Sequence, residues 1–320
     1  MPFLSMSAGV FRMQGKMTDH DATPAISVRS LTKAYGRLVA VKDLSLEVRR
    51  GETVGFLGLN GAGKTTTIRI LLDLLRPTSG RCSILGYDCQ SEGLEARAHV
   101  GYLAGEMGLY GDLTGFELLN LMAGLGRQRV EAHYRGELQR RLELGERDLR
   151  RKLREYSTGM KRKLGIIQAF QHDPPLLMLD EPTEGLDPLM QESFYELMAD
   201  VKRRGRTVFM SSHVLSEVER VCDRIALLRD GELVLLATVD EVRELAPRRV
   251  RVSFYEDVVL NETLPPGVEL IEKSPRAWTL EARGQLGPLI FALSRLPVAD
   301  LFIEEPKLED VLRGYYRKGD

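Results

Sequence analysis

One stretch restricts this chain more than any other: Gly58-Leu59-Asn60-Gly61-Ala62-Gly63-Lys64-Thr65-Thr66. It satisfies the pattern GxxxxGK followed by Ser or Thr. It ends the apolar run TVGFLG and leads into TTTIRILLDLL, where Ile68, Leu71, Leu72 and Leu75 have helical spacing. The order is therefore strand, glycine-rich loop, helix. Glycines let such a loop wrap closely around phosphate oxygens, its N–H groups point inward, and the helix N-terminus adds its positive dipole end. Lys64 is placed to reach β- and γ-phosphates and the Thr65 hydroxyl to ligate Mg²⁺. An ordinary glycine-rich turn is the alternative, and the complete pattern in this context argues against it.

Many nucleotide enzymes share a phosphate cradle, so the residues opposite it decide the chemistry. Leu176-Leu177-Met178-Leu179-Asp180-Glu181 is a continuous apolar run, as in a parallel strand covered on both faces, and it ends in two carboxylates. Asp180 then falls beside a Mg²⁺ shell, and Glu181 can polarise an attacking water. A solvated strand end is the other reading of Glu181. TVFMSSH at 207–213 repeats the apolar pattern, with QESFYELMADVKRRG between as the crossover helix of a βαβ unit. RIALLRDGELVLLA reads as a hairpin turning at Asp230-Gly231. From residue 25, AISVRSL and VAVKDLSLEV read as β-structure around a turn-like Lys42-Asp43. Leu113 to Arg154 reads as helical, an α-helical insertion. The class is α/β: a phosphate-binding-loop core with a mostly parallel sheet, an antiparallel β flank and that insertion.

Between the two motifs lies Tyr156-Ser157-Thr158-Gly159-Met160-Lys161, ahead of an amphipathic RKLGIIQAF. Alone it would be a helix cap. Together with the other motifs it resembles a variant of the LSGGQ signature, keeping the serine and the second glycine. Residues of about 25–240 thus resemble the nucleotide-binding subunits of ABC transporters, members of the P-loop NTPases. The resemblance implies that Gly58 to Thr66 are the Walker A loop, Asp180 and Glu181 the Walker B pair, and Glu184-Gly185-Leu186-Asp187 the D-loop, with Asp187 organising a dimer interface. Ser211-Ser212-His213 is similar to the switch histidine that contacts the γ-phosphate and the attacking water; a lone histidine after an apolar strand is more often structural, but its place after the Walker B strand reverses that here. Tyr35 matches the aromatic that stacks on adenine; packing against the β flank is its alternative. Where the family carries a glutamine this chain has Gly105, then Glu106, a hard oxygen donor that could contact Mg²⁺. The pattern GYLxGExxLYxxLTGxELL around it resembles drug, antibiotic and lipid exporters.

The resemblance implies ATP and Mg²⁺ as ligands and a homodimer, or a pair with another ATPase subunit. Each ATP would lie between one Walker A loop and the partner's Ser157 and Gly159, to be hydrolysed with Glu181 and His213 positioning water. The longest apolar stretches, such as LVLLATV at 233–239, are too short to span a bilayer. A separate transmembrane permease would supply the pore, with this subunit peripheral on the cytoplasmic face of the cell membrane. Composition narrows the competing classes. Lys and Arg number 45 against 46 Asp and Glu, a net charge of −1, so no nucleic acid is expected. That argues against the alternative of a soluble ABC-type ATPase acting on ribosomes or DNA, and a small-molecule kinase would share the cradle alone. Three scattered cysteines fit a reduced compartment, not a disulfide framework. Basic runs at 150–152 and 161–163 read as solvated helix faces.

Three divisions are expected: an N-terminal extension at 1–22, in which Met17 could be the start, an ATP-binding domain at 23–242 and an accessory C-terminal domain at 248–320. In the last, RVRVSFYE, AWTLEAR and LFIEE read as strands, LGPLIFALSRL and KLEDVLRGYYR as helices, making a small α+β domain. The tail from Glu305-Pro306-Lys307 is similar to that of exporter-type subunits, and Tyr315 and Tyr316 read as packing residues.

Overall fold

Apolar residues at alternate positions from residue 25 demand a sheet with one buried face. The computed structural model describes residues 11–12, 23–106, 108, 111–126, 129–259, 264–304, 308–309 and 311–312. Most of the 1–22 extension, Glu305 to Lys307, Tyr315 and Tyr316 lie outside these. After a short strand, Phe11–Arg12 (β1), come Ile26–Tyr35 (β2) and Leu38–Val48 (β3). They form an antiparallel sheet in the order β3-β2-β5-β6 with Ser79–Ile84 (β5) and Tyr87–Asp88 (β6). Its inner face buries Ile26, Val28, Leu31, Val41, Leu44, Leu46, Cys82 and Ile84. The turn expected at Lys42-Asp43 is instead a bulge within one continuous strand. Asp43 has φ 44°, and the backbone N–H groups of Lys42 and Asp43 find partners elsewhere, in Gly231 O at 2.8 Å and Thr32 Oγ1 at 3.1 Å.

Strands apolar at every position need cover on both faces. Thr53–Leu57 (β4), Leu176–Asp180 (β8) and Thr207–Ser212 (β9) are buried at every residue. With Val100–Leu103 (β7), Arg224–Arg229 (β10) and Glu232–Thr238 (β11) they make a seven-stranded sheet ordered β1-β11-β10-β4-β9-β8-β7. The β10-β4, β4-β9, β9-β8 and β8-β7 pairs are parallel. Asp230 and Gly231, at φ 51° and 83°, link β10 to β11 with the left-handed pair that a type I′ turn requires.

Register makes this sheet functional. Leu57 lies opposite Ser212, Asp180 opposite Ser211 and Leu103 opposite Leu179. Four strands therefore end at one level, and the segments leaving them, from Gly58, Glu181, His213 and Ala104, open along one edge. Crevices beyond the carboxyl ends of parallel strands are where open α/β sheets bind ligands.

Helices cover the sheet, Lys64–Leu71 (α1), Pro188–Arg203 (α7) and Leu215–Val221 (α8), while Gly93–Arg97 (α2) lies beside β6 of the antiparallel sheet. The stretch from 113 to 154 is helical as its composition predicts, but broken into Gly115–Leu125 (α3), Ala132–Arg141 (α4) and Glu146–Leu149 (α5) before a longer helix, Thr158–Phe170 (α6). A capping box of Thr114 and Glu117 fixes the start of α3, and such caps stabilise by about 1 kcal/mol.

The chain separates into two units, residues 1–237 and 238–320. The second begins with Val239–Leu245 (α9). Its sheet, ordered β13-β14-β12-β15, joins Arg248–Phe254 (β12), Val268–Ser274 (β13), Ala277–Ala282 (β14) and Val298–Ile303 (β15). Gly287–Leu293 (α10) contributes Leu289 and Leu293 to a core around Val252, Leu280 and Trp278, with the Trp278 and Phe254 rings 4.8 Å apart. No helix among the described residues is long and apolar enough to cross a membrane.

Candidate functional site

The turn from β4 into α1 forms the floor of a cavity of about 430 Å³. Gly63 holds the turn: at φ 104° it is left-handed, and a Cβ on it would lie 2.4 Å from the carbonyl oxygen of Ala40, so no larger residue fits. Residues 59–66 line this floor, while Gly58 at the strand end packs where a Cβ would meet the carbonyl of Leu228 at 2.7 Å. The opposite wall is made by Asp180, Glu181 and Glu184, with Gly105 and Glu106 alongside. Glycine at 105 has a local reason too, since a Cβ there would crowd Asp180 Oδ2 at 3.2 Å.

Polar side chains link these walls. The Lys64 ammonium, buried beneath the cavity, donates to Gly58 O at 2.6 Å and lies 3.4 Å from Glu181 Oε1. The Thr65 hydroxyl meets Asp180 Oδ1 at 3.3 Å. Ser211 donates to the same carboxylate oxygen at 2.5 Å, and its hydroxyl accepts the Glu181 N–H at 3.1 Å. Glu181 itself is left-handed, φ 50°, a conformation that costs a non-glycine residue about 1–3 kcal/mol and concentrates at functional sites. That bend aims its Oε2 at His213 Nδ1, 2.8 Å away, on the loop leaving β9. His213 is half exposed, Asp180 buried. Tyr102, at the end of β7, also lines the cavity; burial pushes its phenol up, with the Asp180 charge adding to the effect.

Lys64, Thr65, Asp180, Glu181 and His213 are thus brought together, with Glu106 on the same cavity. Tyr35, Ser157, Gly159 and Asp187 are not in its lining. Tyr35 is exposed, with the Lys33 ammonium 5.0 Å from its ring centroid. Ser157 is the N-cap of α6, accepting the Met160 N–H at 3.2 Å, and Asp187 caps α7, accepting that of Met190 at 3.0 Å. Gly159 allows α6 to abut the next loop, since its Cβ would sit 3.1 Å from Gly185 O. Both Ser157 and Asp187 lie at the surface.

Sequence reasoning missed three residues. Arg162, read as part of a solvated basic run, is buried and its guanidinium donates to Glu184 O at 3.0 Å, Ala104 O at 3.0 Å and Gly105 O at 2.7 Å. Helical phase turns it inward between the less buried Lys161 and Lys163, and burial lowers its pKa. Ser211 and Glu217 join the network below the cavity. Ser211 is legible as the residue before Ser212-His213, but its partners depend on β8-β9 register.

A model of the ABC transporter family matches residues 41–184. An uncharacterized ABC transporter ATP-binding protein of Nostoc sp. is 42% identical over 236 residues, 69% of this chain and 68% of that protein. The bacitracin transport ATP-binding protein of Bacillus licheniformis is 37% identical, covering 68% of this chain and 71% of its own length, and the ABC transporter ATP-binding protein NatA of Bacillus subtilis is 37% identical over 64% and 84%. A solved ATP-binding subunit of an ABC transporter superposes with a TM-score of 0.63 at 34% identity, covering 68% of this chain and 92% of that one. The dimeric cassette MJ0796 gives 0.62 at 26% identity, covering 67% and 98%.

Proposed function

Since the chain belongs to the ABC transporter family as an ATP-binding subunit, we propose that it hydrolyses ATP to power export through a separate membrane-spanning permease. One observation carries this reading: Lys64, Thr65, Asp180 and Glu181 line a single glycine-rich cavity, and His213 joins them through its 2.8 Å contact with Glu181. Residues 59–66 would wrap the phosphates, Lys64 would turn to the β- and γ-oxygens, and Tyr35 would stack on the base.

The donor set fits Mg²⁺. Thr65 and Asp180 present hard oxygens on the cavity wall, with Glu106 as a further one, and no group of three His, Cys, Asp or Glu side chains forms a metal cage among the described residues. Mg²⁺ at phosphate sites is held by one or two protein oxygens. Its charge there would neutralise the phosphate oxygens. Glu181 would accept a proton from the attacking water, while His213, hydrogen-bonded to the same carboxylate, fixes its orientation.

The surface positions of Ser157 and Asp187, with Gly159 beside them, all away from their own chain's cavity, support a site completed by a second protomer or a paired ATPase subunit, head to tail. The N-terminus of α6 would then face the partner's γ-phosphate. Similarity to a bacitracin transport ATP-binding protein supports an exporter. The same relatives favour transport over action on ribosomes or DNA, and the subunit would sit on the cytoplasmic face of the membrane, bound through the permease.

The test is phosphate release from ATP by the purified chain and its Glu181→Gln variant. A positioned general base contributes about 10²–10⁴-fold, and a loss of that order is expected. Undiminished release would remove Glu181 from the reaction.

A further inference from the structure

Below the cavity lies a buried acid that the proposed mechanism does not use. Glu217, in α8, is 5% exposed. It makes no ion pair among the described residues. An ionised carboxylate buried this way is costly unless hydrogen bonds replace water. Two hydroxyls do so: Thr183 Oγ1 donates to one carboxylate oxygen, and Ser212 Oγ donates to the other at 2.9 Å. Thr183 and Ser212 are themselves buried, at 5% and 0% exposure. The Ser212 hydroxyl also accepts the Val214 N–H at 2.9 Å, which pins the backbone on the far side of His213.

These contacts close a ring. Thr183 is two residues beyond Glu181, Ser212 immediately precedes His213, and Glu181 and His213 meet at 2.8 Å. We infer that Glu217 is a positioning residue: its carboxylate straps the turn after β8 to the loop after β9, and so holds His213 in register with Glu181. Thr183 leads directly into Glu184-Gly185-Leu186-Asp187, so a displacement of that turn is carried through Glu217 to His213. Thr183 and Ser212 both donate to the Glu217 carboxylate, one at each oxygen, so the carboxylate joins the two loops. Glutamine keeps the shape but replaces one acceptor with a donor facing a hydroxyl that now donates.

The strap itself does not depend on the proposed reaction; its catalytic consequence does. Full-length protein labelled with ¹⁵N-histidine has five histidines, and the His213 signal is assigned by its loss in His213→Ala. In Glu217→Gln the His213 resonance is expected to shift or broaden while the other histidines hold their positions. Turnover should fall about tenfold, part of the 10²–10⁴-fold that an oriented acid–base group supplies, with KM for ATP within about twofold. Thr183→Val, isosteric and lacking one arm, should move the same resonance; it decides the matter should Glu217→Gln fail to fold. An unmoved His213 signal in a folded variant overturns the strap whatever the activity. A moved signal with unchanged turnover upholds the strap and refutes the catalytic part given to His213.

Discussion

Arg162→Lys isolates what a planar guanidinium does that a single ammonium cannot. Arg162 makes three charge-assisted hydrogen bonds to backbone carbonyls from two separate loops, at 2.7–3.0 Å. A lysine of shorter reach can replace one of them. Its further ion pair, 3.6 Å to Glu184, counts for little because that carboxylate is 65% exposed. Hydrogen bonds to charged groups contribute about 1.5–3 kcal/mol each, so losing two costs about 3–6 kcal/mol. Water entering beside the shorter lysine satisfies part of the freed carbonyls and leaves about 2–4 kcal/mol. For a domain of this size each kcal/mol moves Tm by about 2–4 °C, so a fall of roughly 5–15 °C is expected by circular dichroism. Limited proteolysis should show new cutting near residues 104–106, which lose their tether. A Tm within about 2 °C of the parent, with unchanged cleavage, would show that Arg162 does not tether these loops.

Substitutions at two positions probe the cavity and its completion by a partner. Gly63→Ala forces a Cβ against the Ala40 carbonyl in a left-handed conformation that alone costs about 1–2 kcal/mol, so ATP affinity measured by titration should fall about tenfold or more, and unchanged affinity would count against the cradle. Ser157→Arg should leave ATP binding by the isolated chain intact but abolish turnover, whereas Ser157→Ala, which loses only the cap bond to Met160, should cost about 1 kcal/mol of stability; full turnover in the arginine variant would oppose a shared site.

What was legible in the sequence was whatever a local pattern encodes. The Gly58–Thr66 loop, the buried runs at 53–57, 176–180 and 207–212 and the Asp230-Gly231 turn each carry their own instruction, and the α/β class follows from their order. Elements set by distant pairing were not. Val100–Leu103 is a four-residue strand whose identity depends on pairing with β8, and Val268–Ser274 is too charged and too exposed to announce itself without β14 beside it. The bulge at Asp43 mimics a turn because both need a residue that tolerates positive φ. In the site, Lys64, Asp180, Glu181 and His213 were legible because motif spacing fixes Lys64 at the start of α1 and the other three at or just beyond strand ends. Arg162 and Glu217 were not, because charged residues in helices ordinarily face water, and only tertiary packing turns these two inward.

Whether nucleotide is held between two protomers is read out by a cysteine cross-link between them. The native Cys82, Cys89 and Cys222 are all buried and give a quiet background. Cysteines placed at Asn60 in one copy and Ser157 in another, in a Glu181→Gln chain, should join into a covalent dimer only when Mg²⁺ and ATP are present. A cross-link that forms equally without nucleotide, or none at saturating ATP, would contradict a nucleotide held between two protomers.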